Sequence, residues 1–252
     1  MAETVLYEVA DHVARLTLAN PEKHNALGRA EFAAMRRAFS ELRTSSYVRV
    51  LVVTGAGDKT FCAGASLQEL NAGAISGDDY QDMTDELAEL PIPTVCALNG
   101  NVFGGGVELA LSCDFRIGVE GTRMRVPAAT LGLCYPPRGI DRFVRRLGPS
   151  AARRILVGAE TFAADDMLRL GFLDHLVMPA QLQQTVDDYA ARLAALAPLS
   201  VRAMKEIIER SAAGTLLMAE AQKLAATCDA SEDLKEGFAA KKEKRAPAFS
   251  GR

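Results

Sequence analysis

The chain has 252 residues, of which 49% are hydrophobic and 24% charged, and a formal net charge of -3. That length supports one large domain, or one domain with an appendage, around a substantial core. The acidic balance gives no bulk attraction to nucleic acid. No apolar run reaches the ~18–20 residues of a membrane span, and Met1 to Ala10 carry no basic residue ahead of an apolar stretch, so neither a leader nor an anchor is expected.

Val5 to Val9 and Val13 to Leu18 predict two short strands joined by a hairpin at Asp11-His12. A polar loop runs from Asn20-Pro21 to Asn25. From Arg29 onward Phe32, Met35, Phe39 and Leu42 recur at spacings of three and four, which predicts an amphipathic helix. Val48 to Thr54 is a continuous β-branched run of the kind found in strands buried on both faces. A short helix is expected from Ser66 to Asn71, a small and polar mobile loop from Gly73 to Asp79, and a helix from Tyr80 to Leu90. Thr94 to Leu98, Phe115 to Val119, Met124 to Val126 and Leu173 to Val177 read as further strands, and the chain is otherwise helical beyond Pro137. Strand–helix alternation up to about residue 180 argues for an α/β fold. The last third is helix-rich and ends in the charged tail Lys241 to Arg245. No internal repeat stands out.

Five cysteines, Cys62, Cys96, Cys113, Cys134 and Cys228, are widely spaced and form neither a CxxC pair nor a metal-ligand cluster with His12, His24 and His175. Reduced, mostly buried thiols in a cytoplasmic protein without a structural metal are the expectation. Gly104-Gly105-Gly106 lies between an apolar strand and a helical stretch, with Glu108 two residues on. A strand turning through glycines into a helix presents bare N–H groups where negative charge is favoured. Glu108, about one turn in, adds a proton carrier beside them. The same glycines would also suit tight strand–helix packing, and Glu108 would also neutralise the start of its own helix.

Asn20-Pro21-Glu22-Lys23-His24-Asn25-Ala26-Leu27, Phe61-Cys62-Ala63-Gly64-Ala65-Ser66-Leu67, Asn99-Gly100 through Gly104-Gly105-Gly106-Val107-Glu108-Leu109, Cys113-Asp114-Phe115-Arg116-Ile117 and Glu236-Gly237-Phe238 to Phe249 stand in this order. Together they resemble the crotonase superfamily, the enoyl-CoA hydratase/isomerase family, over essentially the whole chain. The resemblance implies a crotonase (ClpP-like) spiral of repeated ββα units over residues 1–195, carrying an acyl-CoA site. It also implies a C-terminal helical oligomerisation region over residues 196–252, which forms a homotrimer or a hexamer of paired trimers. The implied substrate is an acyl-CoA thioester, with no cofactor beyond the coenzyme A it carries and no nucleic-acid or membrane partner. Backbone N–H groups of Ala65 and Gly105 are the implied oxyanion hole, Glu108 the acid/base. Ala26, Ala63, Gly64, Ser66, Leu67 and Gly104 are implied substrate contacts. Lys23 and His24 are implied contacts of the CoA nucleotide, and Lys244 of CoA bound to a neighbouring subunit; a solvated loop and tail are the alternative for these three.

Two departures from the family pattern bear on the reaction. The second hydratase glutamate falls just after a proline, where this chain has Met124-Arg125-Val126-Pro127-Ala128, so Ala128 replaces a carboxylate. Leu131-Gly132-Leu133-Cys134-Tyr135 then resembles the segment that places a tyrosine in methylmalonyl-CoA decarboxylases of the family. Decarboxylation requires an oxyanion hole and a proton source, but no base to activate water. Hydration or isomerisation through Glu108, decarboxylation with Tyr135, and CoA binding without catalysis therefore all stand as readings. Ser66 replaces the usual aspartate and is expected to cap the short helix that follows. Cys62, Cys113 and Cys134 are expected to be small core residues.

Overall fold

The computed structural model describes residues 3–252. Strands β1 (Val5–Ala10) and β2 (Val13–Leu18) form an antiparallel hairpin. Its two-residue turn puts Asp11 and His12 at φ of 47° and 66°, the left-handed pair that matches strand twist. After the 16-residue helix α1 (Arg29–Thr44) the chain repeats a pattern: a strand of one sheet, a short strand of another, then a helix. The first pass is β3 (Val50–Gly55), β4 (Thr60–Cys62), α2 (Leu67–Asn71) and α3 (Gly77–Ala88). The second is β5 (Thr94–Leu98), β6 (Asn101–Phe103) and α4 (Gly105–Leu111). The third is β7 (Phe115–Val119), β8 (Arg123–Arg125) and α5 (Pro137–Ala152). These are the repeated ββα units implied by the resemblance, although no sequence repeat marks them.

The larger sheet has the order β1-β2-β3-β5-β7-β10 and is parallel from β2 onward, closing on β10 (His175–Val177). The smaller has the order β4-β6-β8-β9, with β9 (Thr161–Ala163) antiparallel to β8. Helix α6 (Ala164–Arg169) links β9 to β10. Both faces of the larger sheet are covered. Val50, Val52, Val95, Ala97 and Ile117 pack on Val186, Ala190, Leu193 and Ala194 of α7 (Leu182–Ala194). The alternate residues Leu51, Val53, Cys96 and Leu98 face the main core with Leu16, Phe39, Phe61 and Leu109. Double coverage is why these strands read as unbroken apolar runs.

Helices α8 (Pro198–Ala212), α9 (Met218–Asp229) and α10 (Glu232–Glu243) complete the chain. Lys205 of α8 ties them to the core, meeting Asp114 at 2.6 Å and Ile92 O at 2.9 Å. Among the described residues no helix is long and apolar enough to cross a membrane.

Several expectations change. The Gly73 to Asp79 segment is not all loop: α3 begins at Gly77, because Ser76 and Asp79 form a reciprocal capping box at 2.7 and 3.1 Å. Lys241 and Lys242 belong to the last turn of α10 but stay exposed like Lys244, and Arg245 pairs at the surface with Glu236 and Glu243. Cys62 and Cys113 are buried as expected, but Cys134 is exposed, lying in the open loop before α5. Strands β4, β6 and β9 were not foreseen.

Candidate active site

The loop from Asn20 to Leu27 sets the first edge of the site. Asn25 is buried and donates to Ala56 O at 3.0 Å and Thr60 O at 2.9 Å, while its Oδ1 accepts from Asn20 N at 3.0 Å. The loop is thereby clamped onto β4, and Ala63 N donates to His24 O. Leu27 and Ala65 form an isolated parallel bridge in which Leu27 N donates to Gly64 O and Ser66 N donates to Leu27 O. In that register Ala65's own N–H faces away from Leu27. Ser66 then caps α2, accepting from Glu69 N at 3.3 Å, as the sequence predicts.

The triple glycine brings the second amide alongside. Gly104 takes φ 52° and ψ −127°, a conformation that favours glycine, and turns β6 into α4 while donating to Arg125 O. Gly105 is the first residue of α4, where an N–H has no intrahelical acceptor. A Cβ on Gly64 would stand 2.5 Å from Gly105 N, and one on Gly106 would collide with Cys62 O. So the two turns press together through missing side chains. Among the described residues neither Ala65 N nor Gly105 N has a backbone or side-chain acceptor in the loops and turns.

Glu108 points from the first turn of α4 into a polar nest supplied by two other helices, and is 0% exposed. Gln81 Nε2 of α3 donates to Oε1 at 2.7 Å, with Thr84 Oγ1 at 3.4 Å. Tyr135 Oη donates to Oε2 at 2.8 Å, and Arg142 Nε of α5 lies 3.7 Å from Oε1. Burial pushes the Glu108 carboxyl above its ordinary value, while Tyr135, Arg142, Gln81 and Thr84 each pull it back down. Gly139 leaves the room this requires: a Cβ there would lie 2.6 Å from Tyr135 Cε1 and 2.9 Å from Glu108 Oε2. Arg142 is anchored in turn by Asp85, which also holds Arg138 at 2.7 Å. A buried proton carrier on the same helical turn as an amide without an acceptor is an arrangement suited to enolate chemistry.

The sequence profile of the enoyl-CoA hydratase/isomerase family matches residues 8–252. The chain belongs to that family. It is 31% identical to the (E)-benzylidenesuccinyl-CoA hydratase of Thauera aromatica, over 98% of this chain and 99% of that one. To the short-chain-enoyl-CoA hydratase of Clostridium acetobutylicum it is also 31% identical, over 96% and 95%. An enoyl-CoA hydratase/carnitine racemase structure from Magnetospirillum magneticum superposes with a TM-score of 0.93 at 25% identity, covering 100% of this chain and 97% of that one. The crotonase fold and acyl-CoA-processing class expected from the motifs are therefore established.

The structure sorts the other sequence candidates. Glu108 meets Tyr135 and shares the first turn of α4 with Gly105, while Gly64, next to Ala65, presses on Gly105 N. Ala63 and exposed His24 line a separate cleft of about 650 Å³ that also takes in Lys59 and Asn101, and His24 Nδ1 lies 3.1 Å from Thr60 Oγ1. Lys23 and Leu67 are exposed and Ala26 is half-buried. Lys244 is the exposed left-handed cap of α10, and no hydrogen bond or ion pair joins it to the site among the described residues. Ala128 is buried at the start of a single 3-10 turn. Sequence reasoning missed Gln81, Thr84 and Arg142. Gln81 and Thr84 fall among Tyr80, Met83 and Leu87 on the buried side of α3, and polar residues interrupting an apolar stripe are the signal that was available.

Proposed function

We propose that the protein processes an acyl-CoA thioester by hydratase or isomerase chemistry through a thioester enolate. Glu108 is the single acid/base, and the amides of Ala65 and Gly105 hold the thioester oxygen. The observation that carries this reading is the 0% exposed Glu108 carboxylate, oriented by Gln81 and Tyr135 beside the Gly64–Gly105 contact. In hydration, Glu108 accepts a proton from water as the water oxygen bonds to Cβ. The electron pair of the double bond moves onto the thioester oxygen, and the protonated carboxyl then gives its proton to Cα. In isomerisation the same carboxyl carries a proton between substrate carbons. With Ala128 in the second position, one group serves both transfers. No group beyond the substrate's own coenzyme A is called on.

Decarboxylation of a malonyl-type thioester is the second reading, favoured by Ala128 and by Tyr135 within the site. The Tyr135 hydroxyl is already engaged with Glu108, which supports a positioning role for it and ranks this reading second. A CoA-binding protein without turnover is the third. Incubation with crotonyl-CoA and with methylmalonyl-CoA, read by mass spectrometry, separates them: loss of crotonyl-CoA as hydrated product supports the first, carbon dioxide release the second, and binding alone the third.

Assembly into trimers, or hexamers of paired trimers, belongs to the same proposal. Met204 and Ile208 on α8, Leu217 and Met218 before and on α9, and Phe238 on α10 are all exposed, an apolar surface expected of an interface. Light scattering on the purified protein tests it. Contacts of Lys23, His24 and Lys244 with CoA phosphates are tested by loss of CoA affinity in their alanine variants.

A further inference from the structure

Tyr80, on the buried side of α3, is 5% exposed, and its ring meets Phe32 edge-on at 5.7 Å. Its hydroxyl is fully buried, yet among the described residues it has no hydrogen-bond partner. A buried hydroxyl without a partner is costly and rarely kept without a use. This one is aimed at the amide turn: a Cβ on Gly105 would lie 2.6 Å from Tyr80 Cζ and 2.8 Å from Oη. Given the covalent reach from Cβ to N, the hydroxyl and the Gly105 N–H lie within roughly 5 Å of each other, so one oxygen atom can accept from both.

We propose that the Tyr80 hydroxyl donates a hydrogen bond to the thioester oxygen of bound acyl-CoA, as a third donor beside the Ala65 and Gly105 amides. The inference rests on the acyl-CoA reading of this site and adds a residue to it. Burial, with the neighbouring Cys62, Tyr135 and Glu108, pushes the phenol well above its ordinary range, so it stays a donor at working pH. A neutral donor in a dry pocket gains most when its acceptor takes up negative charge. It also supplies polar stabilisation to a site whose second carboxylate is replaced by Ala128.

The test compares Tyr80→Phe with wild type using two probes, acetoacetyl-CoA, whose acidic α-carbon ionises readily to an enolate, and butyryl-CoA, which enolises far less readily. The expected result is roughly tenfold or greater weakening for acetoacetyl-CoA, threefold or less for butyryl-CoA, and a fall in enolate absorbance. The thermal midpoint should hold or rise, because the lost hydroxyl had no partner. Unchanged acetoacetyl-CoA affinity, or equal weakening of both probes, overturns the proposal while leaving the acyl-CoA reading in place. Failure of wild type to bind either probe overturns both. If Tyr80→Phe does not fold, difluorotyrosine at position 80 keeps the ring and strengthens the donor. Tighter acetoacetyl-CoA binding then supports the proposal, and no change overturns it.

Discussion

Tyr135 Oη donates to Glu108 Oε2 at 2.8 Å across the gap left by Gly139. The phenol has no charge of its own to contribute, so its effect is to favour the ionised carboxylate against the burial that disfavours it. It also fixes which way the carboxylate plane faces, since Gln81 holds the other oxygen.

Replacing Tyr135 with phenylalanine should therefore raise the Glu108 pKa further. Where Glu108 acts as a base, only the ionised form works, so the acid limb of kcat/KM should move to higher pH. A hydrogen bond to a charged group is worth about 1.5–3 kcal/mol, so the rate below the limb should fall roughly ten- to a hundredfold. Well above it the loss should be small. A pH–rate profile that superposes on wild type would remove Tyr135 from the control of Glu108.

Glu108→Gln should separate stability from activity. The folded pKa of Glu108 lies above the ordinary 4.5, so its contribution to stability is fully present below that value and lost as pH rises through the raised one. Above the raised value the buried charge is a liability that glutamine lacks. The variant should melt at a higher temperature than wild type on the alkaline side of that value, with the advantage gone near pH 4. Turnover should fall by roughly 10²–10⁴-fold while CoA thioesters still bind. Retained turnover would exclude Glu108 as the acid/base.

At Gly139, alanine should damage the site from behind. Its methyl group would stand 2.6 Å from the Tyr135 ring and 2.9 Å from Glu108 Oε2, and neither neighbour is the free end of a flexible chain. Overpacking of this kind costs about 1–3 kcal/mol. The larger effect should be on turnover, because the carboxylate is displaced from the amides. Denaturant unfolding and kcat measured on the same sample check both; a variant with wild-type kcat would show that this spacing is not critical.

Much of this architecture was legible because burial imposes patterns. Thr94–Leu98 was bounded correctly because a strand covered on both faces leaves an apolar run, and Phe115–Val119 was bounded correctly despite its buried Arg116. Three-residue strands such as Asn101–Phe103 and Thr161–Ala163 are too short to show a period. In the site, Glu108 and the glycines announced themselves through a local motif. Gln81, Thr84 and Arg142 come from helices that meet α4 only in the folded chain, and polar residues on a helix read first as its wet face. Tyr80 was hidden differently: an aromatic at helical spacing reads as core, and its ring is core, while the hydroxyl is what reaches the amide turn.

A nearly buried ion pair holds the C-terminal helices to the central sheet. Lys205 Nζ meets Asp114 Oδ2 at 2.6 Å, and the two side chains are only 11% and 14% exposed. That same carboxylate oxygen accepts from Thr94 N at 2.7 Å and from Thr94 Oγ1 at 3.0 Å, at the start of β5. One aspartate thus joins the central sheet to α8. Lys205→Ala strips the cation from a nearly buried carboxylate, which costs about 3 kcal/mol, and it frees Ile92 O as well. For a chain of this size that should lower the melting midpoint by roughly 6–12 °C. Replacing both partners, Lys205→Met with Asp114→Asn, removes the stranded charge and should recover part of the loss. If the single and double variants melted together with wild type, the pair would be irrelevant to stability and α8 would be held by its apolar contacts alone.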